Sequence, residues 1–82
     1  MYCLTEITLY PLDKDYETPI LDFISRLNAH PGLEISTGET STVMRGDYDL
    51  VMKTLAHEMK VSLEGTTRMS FVLKVLNTEV NR

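Results

Sequence analysis

The chain has 82 residues, of which 43% are hydrophobic and 24% are charged, and its formal net charge is −4. This composition predicts one small soluble domain over residues 1–82, and a domain of this size covers its apolar surface incompletely, so self-association would stabilise it. The acidic balance and the scattered Lys and Arg argue against a nucleic-acid partner, because phosphate binding needs clustered basic side chains. The single cysteine, Cys3, cannot form an intramolecular disulfide. No segment resembles a signal peptide or a membrane-spanning helix, so we expect a cytoplasmic protein without a membrane partner.

The first predicted element is a β-strand over residues 2–10, which is rich in β-branched and aromatic side chains and ends at Pro11. Alternate residues share the face that we expect to line the core: Cys3, Thr5, Ile7 and Leu9. The opposite face then carries Leu4, Glu6, Thr8 and Tyr10.

An amphipathic helix follows the polar connection at residues 13–15. Its apolar residues recur at the helical spacing i, i+3, i+4, i+7: Ile20, Phe23, Ile24 and Leu27. Thr18 and Pro19 fit an N-cap followed by the first helical position, and a start a few residues earlier is also open. Pro31 and Gly32 end this helix.

The middle of the chain predicts a β-hairpin. Residues 33–37 and 41–45 are the two strands, and residues 38–40 form the tight reversal between them. Gly46 permits a positive φ where the third strand ends, and Asp47 is suited to cap the next helix.

The second helix is marked by an apolar stripe at helical spacing, which we interpret as core: Tyr48, Val51, Met52, Leu55 and Met59. Gly65 separates it from a last strand over residues 68–76. One face of that strand carries Met69, Phe71, Leu73 and Val75, and the other carries Arg68, Ser70, Val72 and Lys74. Residues 77–82 are polar, and we expect them to be a frayed tail.

The order βαββαβ is typical of the α+β ferredoxin-like sandwich, a four-stranded antiparallel sheet with two helices on one face. Right-handed crossovers place the first and third strands in the centre, so the end of the first strand lies near the start of the third. The helix-free face mixes apolar side chains with paired charges, which favours contact with another copy of the chain through this open face.

The sequence shows none of the common residue patterns for metal, phosphate or nucleophilic catalysis. Cys3, His30 and His57 are too far apart in sequence to predict a metal site, and a Cys-x-x-Cys pair is absent. The glycines are isolated, so no phosphate loop is predicted. Neither histidine lies on a strand, so no proton carrier or nucleophile–base pair is apparent.

A polar cluster remains as the candidate ligand site. It consists of Thr8, Tyr10, Glu39, Ser41 and Thr42. Hydroxyls on central strands can hydrogen-bond a small heterocycle, an aromatic ring can stack on it, and a carboxylate suits a cationic ring. The alternative is that these are ordinary exposed strand residues.

Three pieces of the sequence also resemble, in order and spacing, the YkoF-like thiamine-binding family of small ferredoxin-like domains. These pieces are Tyr10-Pro11-Leu12, Ser41-Thr42 and Gly46-Asp47, and the resemblance covers about residues 4–60. It implies a noncatalytic protein that binds thiamine or its hydroxymethylpyrimidine part and assembles into dimers or tetramers. Carried over by position, Thr8, Tyr10, Ser41 and Thr42 fall at the ligand pocket, whereas Glu39 is added on charge alone. YkoF itself carries two copies of the domain in tandem, whereas this chain has one copy and ends soon after its fourth strand.

Three functions follow as hypotheses. The first is a homo-oligomeric binding protein for thiamine or a related pyrimidine, with no cofactor or metal of its own. The second is a dimeric α+β barrel enzyme that acts on a small aromatic substrate. The third is a structural or regulatory module whose sheet face binds copies of itself.

Overall fold

The computed structural model describes residues 1–78 and has the predicted βαββαβ order. Its strands are β1 (Tyr2–Pro11), β2 (Glu34–Thr37), β3 (Thr42–Asp47) and β4 (Met69–Asn77), and its helices are α1 (Glu17–Asn28) and α2 (Tyr48–Leu63). The four strands form one antiparallel sheet in the order β2-β3-β1-β4. This is the ferredoxin-like α+β fold, with β1 and β3 in the centre as the topology rules predicted.

The core lies between the helix pair and one face of the sheet. The alternation predicted for β1 is confirmed, because Cys3, Ile7 and Leu9 are buried and Leu4 is only half-buried. Both helices and β3 complete the core with Phe23, Leu27, Met44, Val51 and Leu55. The ring of Phe23 also packs against Phe71 of β4, with centroids 5.1 Å apart and the rings tilted by 60°. The predicted apolar faces therefore meet in a single cluster.

The start of α1 differs from the prediction. The helix begins at Glu17 with Tyr16 at the N-cap, so Thr18 is not the cap residue. Instead, the carboxylate of Asp15 accepts hydrogen bonds from the backbone N–H of Thr18 at 3.3 Å and from its hydroxyl at 3.0 Å. The carboxylate of Asp15, near the positive end of the helix, thus performs the capping function that was predicted for the hydroxyl of Thr18.

Gly46 has a different role from the predicted one. Its φ is not positive, and Gly32, with φ 81°, is the positive-φ glycine of residues 1–78. Gly46 is a buried residue of β3, and a Cβ atom there would lie 2.6 Å from Cδ2 of Leu33. A side chain at this position would require the end of the Leu33 side chain to move, so packing favours glycine here and backbone conformation does not.

Other boundaries need small corrections. Asp47 caps α2 as predicted, because its side chain accepts a hydrogen bond from the N–H of Leu50. Tyr48 is exposed, so the stripe of α2 is core only from Val51 onward. Asn77 belongs to β4 and not to the predicted tail, of which residues 79–82 lie outside the described residues. Within residues 1–78, neither helix has both the length and the apolar character that crossing a bilayer requires.

Candidate functional site

An open cleft lies at the end of the sheet where the β2–β3 hairpin approaches α1. It contains about 400 Å³ of space, part of which is continuous with solvent. Its floor is apolar and comes from β1 and α1: Ile7, Leu9, Ile20, Phe23 and Ile24. Its rim is polar and consists of residues 37–42. An apolar cavity with a few polar groups on one side is the usual form of a small-molecule site.

The hairpin positions this rim. Thr37 pairs with Thr42 in the sheet, and the N–H of Gly38 donates to the carbonyl of Ser41 at 2.9 Å. These contacts close a short loop and place Glu39 and Thr40 at its exposed tip. The loop is therefore held by its own backbone and leaves its side chains available.

Four residues of the rim carry hydroxyls that have no hydrogen-bond partner within the described part of the chain: Thr37, Thr40, Ser41 and Thr42. Thr42 is 5% exposed and Ser41 is half-buried, and neither side chain makes a hydrogen bond to another of residues 1–78. Within residues 1–78, Thr5 is the one residue whose side-chain oxygen is both unpaired and sealed from solvent, so the hydroxyl of Thr42 still reaches the cleft, where a polar ligand atom could bond to it. Thr42 is less exposed than Ser41, so it is the stronger candidate to form a hydrogen bond with a ligand.

The predicted site residues divide between two faces of the sheet. Glu39, Ser41 and Thr42 line the cleft together. Thr8 and Tyr10 lie on the opposite, helix-free face, because they alternate along β1 with Ile7 and Leu9, which face the helices. The ends of β1 and β3 do meet, with Ile7 opposite Thr42, but strand alternation separates their polar side chains.

A second polar cluster, which the sequence reading missed, joins the two helices. Its centre is Glu58 of α2, which is 5% exposed. One carboxylate oxygen lies 2.6 Å from Nη1 of Arg26 and the other lies 2.6 Å from Nε2 of His30. Arg26 also donates to the carbonyl of Glu58 at 2.9 Å, to Asp22 at 3.0 Å and to the hydroxyl of Ser62. The position of Glu58 on the stripe running from Val51 through Leu55 was the signal available in the sequence.

The charges around Glu58 outweigh its burial. Burial raises the pKa of this carboxyl, but hydrogen bonds from His30 and Arg26, together with the charges of Arg26 and His57, hold the pKa below its ordinary value. Glu58 is therefore ionised at neutral pH and acts as an acceptor that ties α1 to α2.

This cluster and the cleft do not share residues, which restricts what the cleft can do. Neither His30 nor His57 lines the cleft, and Glu39 is the one titratable residue among those that do. No group of three or more His, Cys, Asp or Glu within residues 1–78 is arranged to hold a metal ion. The residues present in the cleft are suited to hydrogen bonding, apolar contact and charge attraction.

Comparisons with known proteins find the fold in solved structures. No family model matches the chain, and no curated protein matches it in a sequence search. A Streptococcus pneumoniae protein superposes with a TM-score of 0.86 at 19% identity, covering 98% of this chain and 90% of that one. A hypothetical protein of Methanocaldococcus jannascii gives a TM-score of 0.82 at 19% identity, with 99% and 84% covered.

A third solved structure has a descriptive name. It is a candidate thiamine biosynthesis/salvage protein from Thermotoga maritima, with a TM-score of 0.80, 15% identity, and coverage of 92% of this chain and 82% of that one. At these identities the similarity establishes the fold that the chain shares with these proteins.

Proposed function

We propose that this protein binds a small heterocycle, thiamine or its hydroxymethylpyrimidine part, in the cleft between α1 and the β2–β3 hairpin, and that binding without catalysis is its activity. The observation that carries the proposal is the unpaired hydroxyl of Thr42, a residue that is 5% exposed, beside an apolar floor. It supports a ligand that is flat and apolar on its faces and polar at its edge.

An aminopyrimidine has these properties. Its ring would lie against the floor near Phe23 and Leu9, and its edge offers both donors and acceptors to the hydroxyls of Thr42 and Ser41. The carboxylate of Glu39 at the exposed loop would attract the positive charge of a thiazolium ring. The part of the cleft that would hold water-sized molecules is about 70 Å³, so the ligand would also occupy the open space at the mouth of the cleft.

The name of the Thermotoga maritima protein supports thiamine as the first ligand to test. Two links connect that name to this chain: the shared fold, and the motif resemblance at Ser41-Thr42 and Gly46-Asp47. Because folds host many functions, the argument for this ligand rests on the cleft and not on the fold.

Thr8 and Tyr10 have a separate place in the proposal. They would contact the same ligand only if it extended around the end of β1 to the helix-free face, where Tyr10 is 53% exposed. We therefore assign the direct contacts to Thr42, Ser41 and Glu39, and we expect Thr8 and Tyr10 to make no contact with a ligand that is held in the cleft.

The protein is also proposed to act as a homo-oligomer. The helix-free face has half-exposed apolar side chains in Tyr10, Val72 and Leu76, which is consistent with contact between copies. Its ion pair between Lys74 and Glu6, at 3.7 Å, is already formed within one chain, so this face does not need a partner to satisfy its charge.

The experiment is isothermal titration calorimetry with thiamine and with hydroxymethylpyrimidine, combined with thermal unfolding. At about 100 times the dissociation constant a ligand stabilises the folded state by about 2.7 kcal/mol, which for a domain of this size raises Tm by about 10 °C or more. No heat of binding and no rise in Tm with either compound would refute the proposed ligands.

Two variants locate the site. Thr42→Val keeps the shape of the side chain and removes the hydroxyl, so binding should weaken about tenfold, or about 1.4 kcal/mol, while the unliganded fold stays intact. Thr8→Val is the matched control on the opposite face and should leave binding unchanged. If Thr8→Val weakens binding and Thr42→Val does not, the ligand binds on the helix-free face and the assignment of the cleft is wrong.

A further inference from the structure

The charge at the mouth of the cleft restricts which form of a heterocycle can bind there. Glu39 is the one charged residue among those that line the cleft, and the rest of the rim consists of hydroxyl residues and Gly38. Glu39 lies at the exposed tip of the hairpin loop. A ligand that extends from the floor to the mouth therefore passes a carboxylate on its way out.

No cationic side chain offsets this carboxylate. Within residues 1–78, no lysine or arginine lines the cleft. Arg26 is on the same helix as part of the floor, but it is already paired with Asp22 and Glu58. Arg45 is on β3, but it lies on the helix-free face, because it alternates with the buried residue Met44. The usual side-chain partners of a phosphate group are thus absent from the lining of the cleft.

The start of α1 is also closed to an anion. The N–H groups and the dipole of a helix N-terminus can bind phosphate. At α1 the carboxylate of Asp15 already accepts the hydrogen bond from the N–H of Thr18, and Glu17 adds an acidic residue in the first turn. Glu17 and the floor residue Ile20 are i, i+3 neighbours, so their Cβ atoms are about 5–6 Å apart. Lys14, in the connection before α1, lies between two aspartates in the sequence.

We infer that the cleft selects the unphosphorylated form of its heterocycle and that Glu39 sets this selectivity. The inference rests on the proposed function, because it concerns a ligand of the same cleft. The part of the cleft that would hold water-sized molecules is about 70 Å³, so the outer part of the ligand lies at the mouth, near Glu39. A free hydroxyl there can bond to the hydroxyls of the rim, whereas a phosphate ester brings about two negative charges to the carboxylate.

The repulsion is large enough to measure, although the site is exposed. With the dielectric constant of water, about two charges on a phosphate about 6 Å from one carboxylate lower the affinity about tenfold. Salt weakens this effect, because the Debye length falls from about 30 Å at 0.01 M to about 3 Å at 1 M. A selectivity that is caused by charge should therefore be strong at low salt and nearly absent at high salt.

Isothermal titration calorimetry at about 0.01 M and about 1 M salt tests the inference. The ligands are hydroxymethylpyrimidine, thiamine and the monophosphate ester of each. At low salt each ester should bind the wild type about tenfold more weakly than its parent compound, and at high salt the two should bind almost equally. The pyrimidine pair is the cleaner comparison, because its parent compound has no positive charge for Glu39 to attract.

Glu39→Lys tests the residue itself. The side chain is at an exposed loop tip, so the substitution should not disturb the fold, which an unchanged Tm would verify. The variant should bind hydroxymethylpyrimidine phosphate at least as tightly as hydroxymethylpyrimidine, which reverses the preference of the wild type. Glu34→Lys is the matched control, because it makes the same change in net charge on the helix-free face, opposite Arg45 and outside the cleft. This control should keep the preference of the wild type.

The possible failures of the inference and of the proposed function are distinguishable. If the esters bind the wild type as tightly as their parent compounds, the inference is wrong and the proposed function stands. If the esters bind weakly to the wild type and to Glu39→Lys alike, at both salt concentrations, the exclusion is steric and the role of Glu39 is wrong. If none of the four compounds binds, the proposed function is refuted and this inference is refuted with it.

Discussion

Replacing Glu58 with glutamine tests whether the polar cluster between the helices stabilises the fold. The side chain of Glu58 is 7% exposed, and its carboxylate oxygens lie 2.6 Å from Arg26 and from His30. Glutamine retains the size of the side chain and one acceptor oxygen but loses the negative charge. The perturbation therefore addresses the charge and not the packing.

The magnitude follows from these two contacts. A hydrogen bond to a charged group contributes about 1.5–3 kcal/mol, and charge assistance supplies about half of that. Two such bonds predict a loss of about 2 kcal/mol in the free energy of unfolding at neutral pH. The loss is smaller than for a fully buried pair, because Arg26 is 21% exposed and keeps its contacts to Asp22 and Ser62. Tm should fall by about 8–16 °C.

Urea unfolding at several pH values is the assay. Because the pKa of folded Glu58 is lower than the ordinary value of 4.5, its contribution is complete above that pH and disappears as the pH falls through the lower folded value. The difference between wild type and Glu58→Gln should therefore be largest near neutral pH and shrink in acid. Glu64→Gln, at an exposed residue beyond α2, is the control and should change stability by less than about 0.5 kcal/mol. A difference below that limit for Glu58→Gln at pH 7, or one that grows in acid, would refute the reasoning.

Two further predictions concern packing in the core. Thr5 is fully buried, and its hydroxyl has no hydrogen-bond partner among residues 1–78. Thr5→Val should therefore stabilise the protein by about 1 kcal/mol and raise its urea midpoint. A lower midpoint would mean that the hydroxyl has a hydrogen-bond partner in solution. In Gly46→Ala the new methyl would meet Cδ2 of Leu33 at 2.6 Å, and because the end of that side chain can move we expect a loss of about 1 kcal/mol by the same assay. Gly38→Ala, whose Cβ meets only an ordinary contact at 3.5 Å, should be close to neutral, and equal losses in the two variants would contradict a packing role for Gly46.

The fold was predictable because its signals are local and repeated. The period-two pattern of β1 and the helical spacing from Phe23 to Leu27 each identify an element without reference to the rest of the chain. The cap at Asp47 is also local, since the acceptor and the donor are three residues apart. Once the order of elements was known, connection handedness gave the strand order.

The candidate site was predictable only in part. The loop position of Glu39 and the neighbouring Ser41 and Thr42 follow from the hairpin, and the structure brings these three residues to one cleft. Thr8 and Tyr10 were grouped with them because the strand ends are close in space, but proximity along a strand end does not decide which face a side chain occupies. The face is decided by whether a residue has an even or an odd number in β1. Thr8 and Tyr10 are even-numbered, so they lie on the side of the sheet away from the helices.

Local patterns in the sequence were enough to predict the order of the elements, their buried faces and the strand order, because backbone propensity and periodicity act over a few residues. The tertiary structure decided which distant groups meet: Glu58 with His30 across 28 residues, Gly46 with Leu33, and the cleft floor with its hydroxyl rim. It also left the apolar side chains of residues 72, 73, 75 and 76 in β4 exposed. These contacts depend on how the helix layer packs on the sheet. That packing depends on interactions between distant elements, which no local pattern encodes.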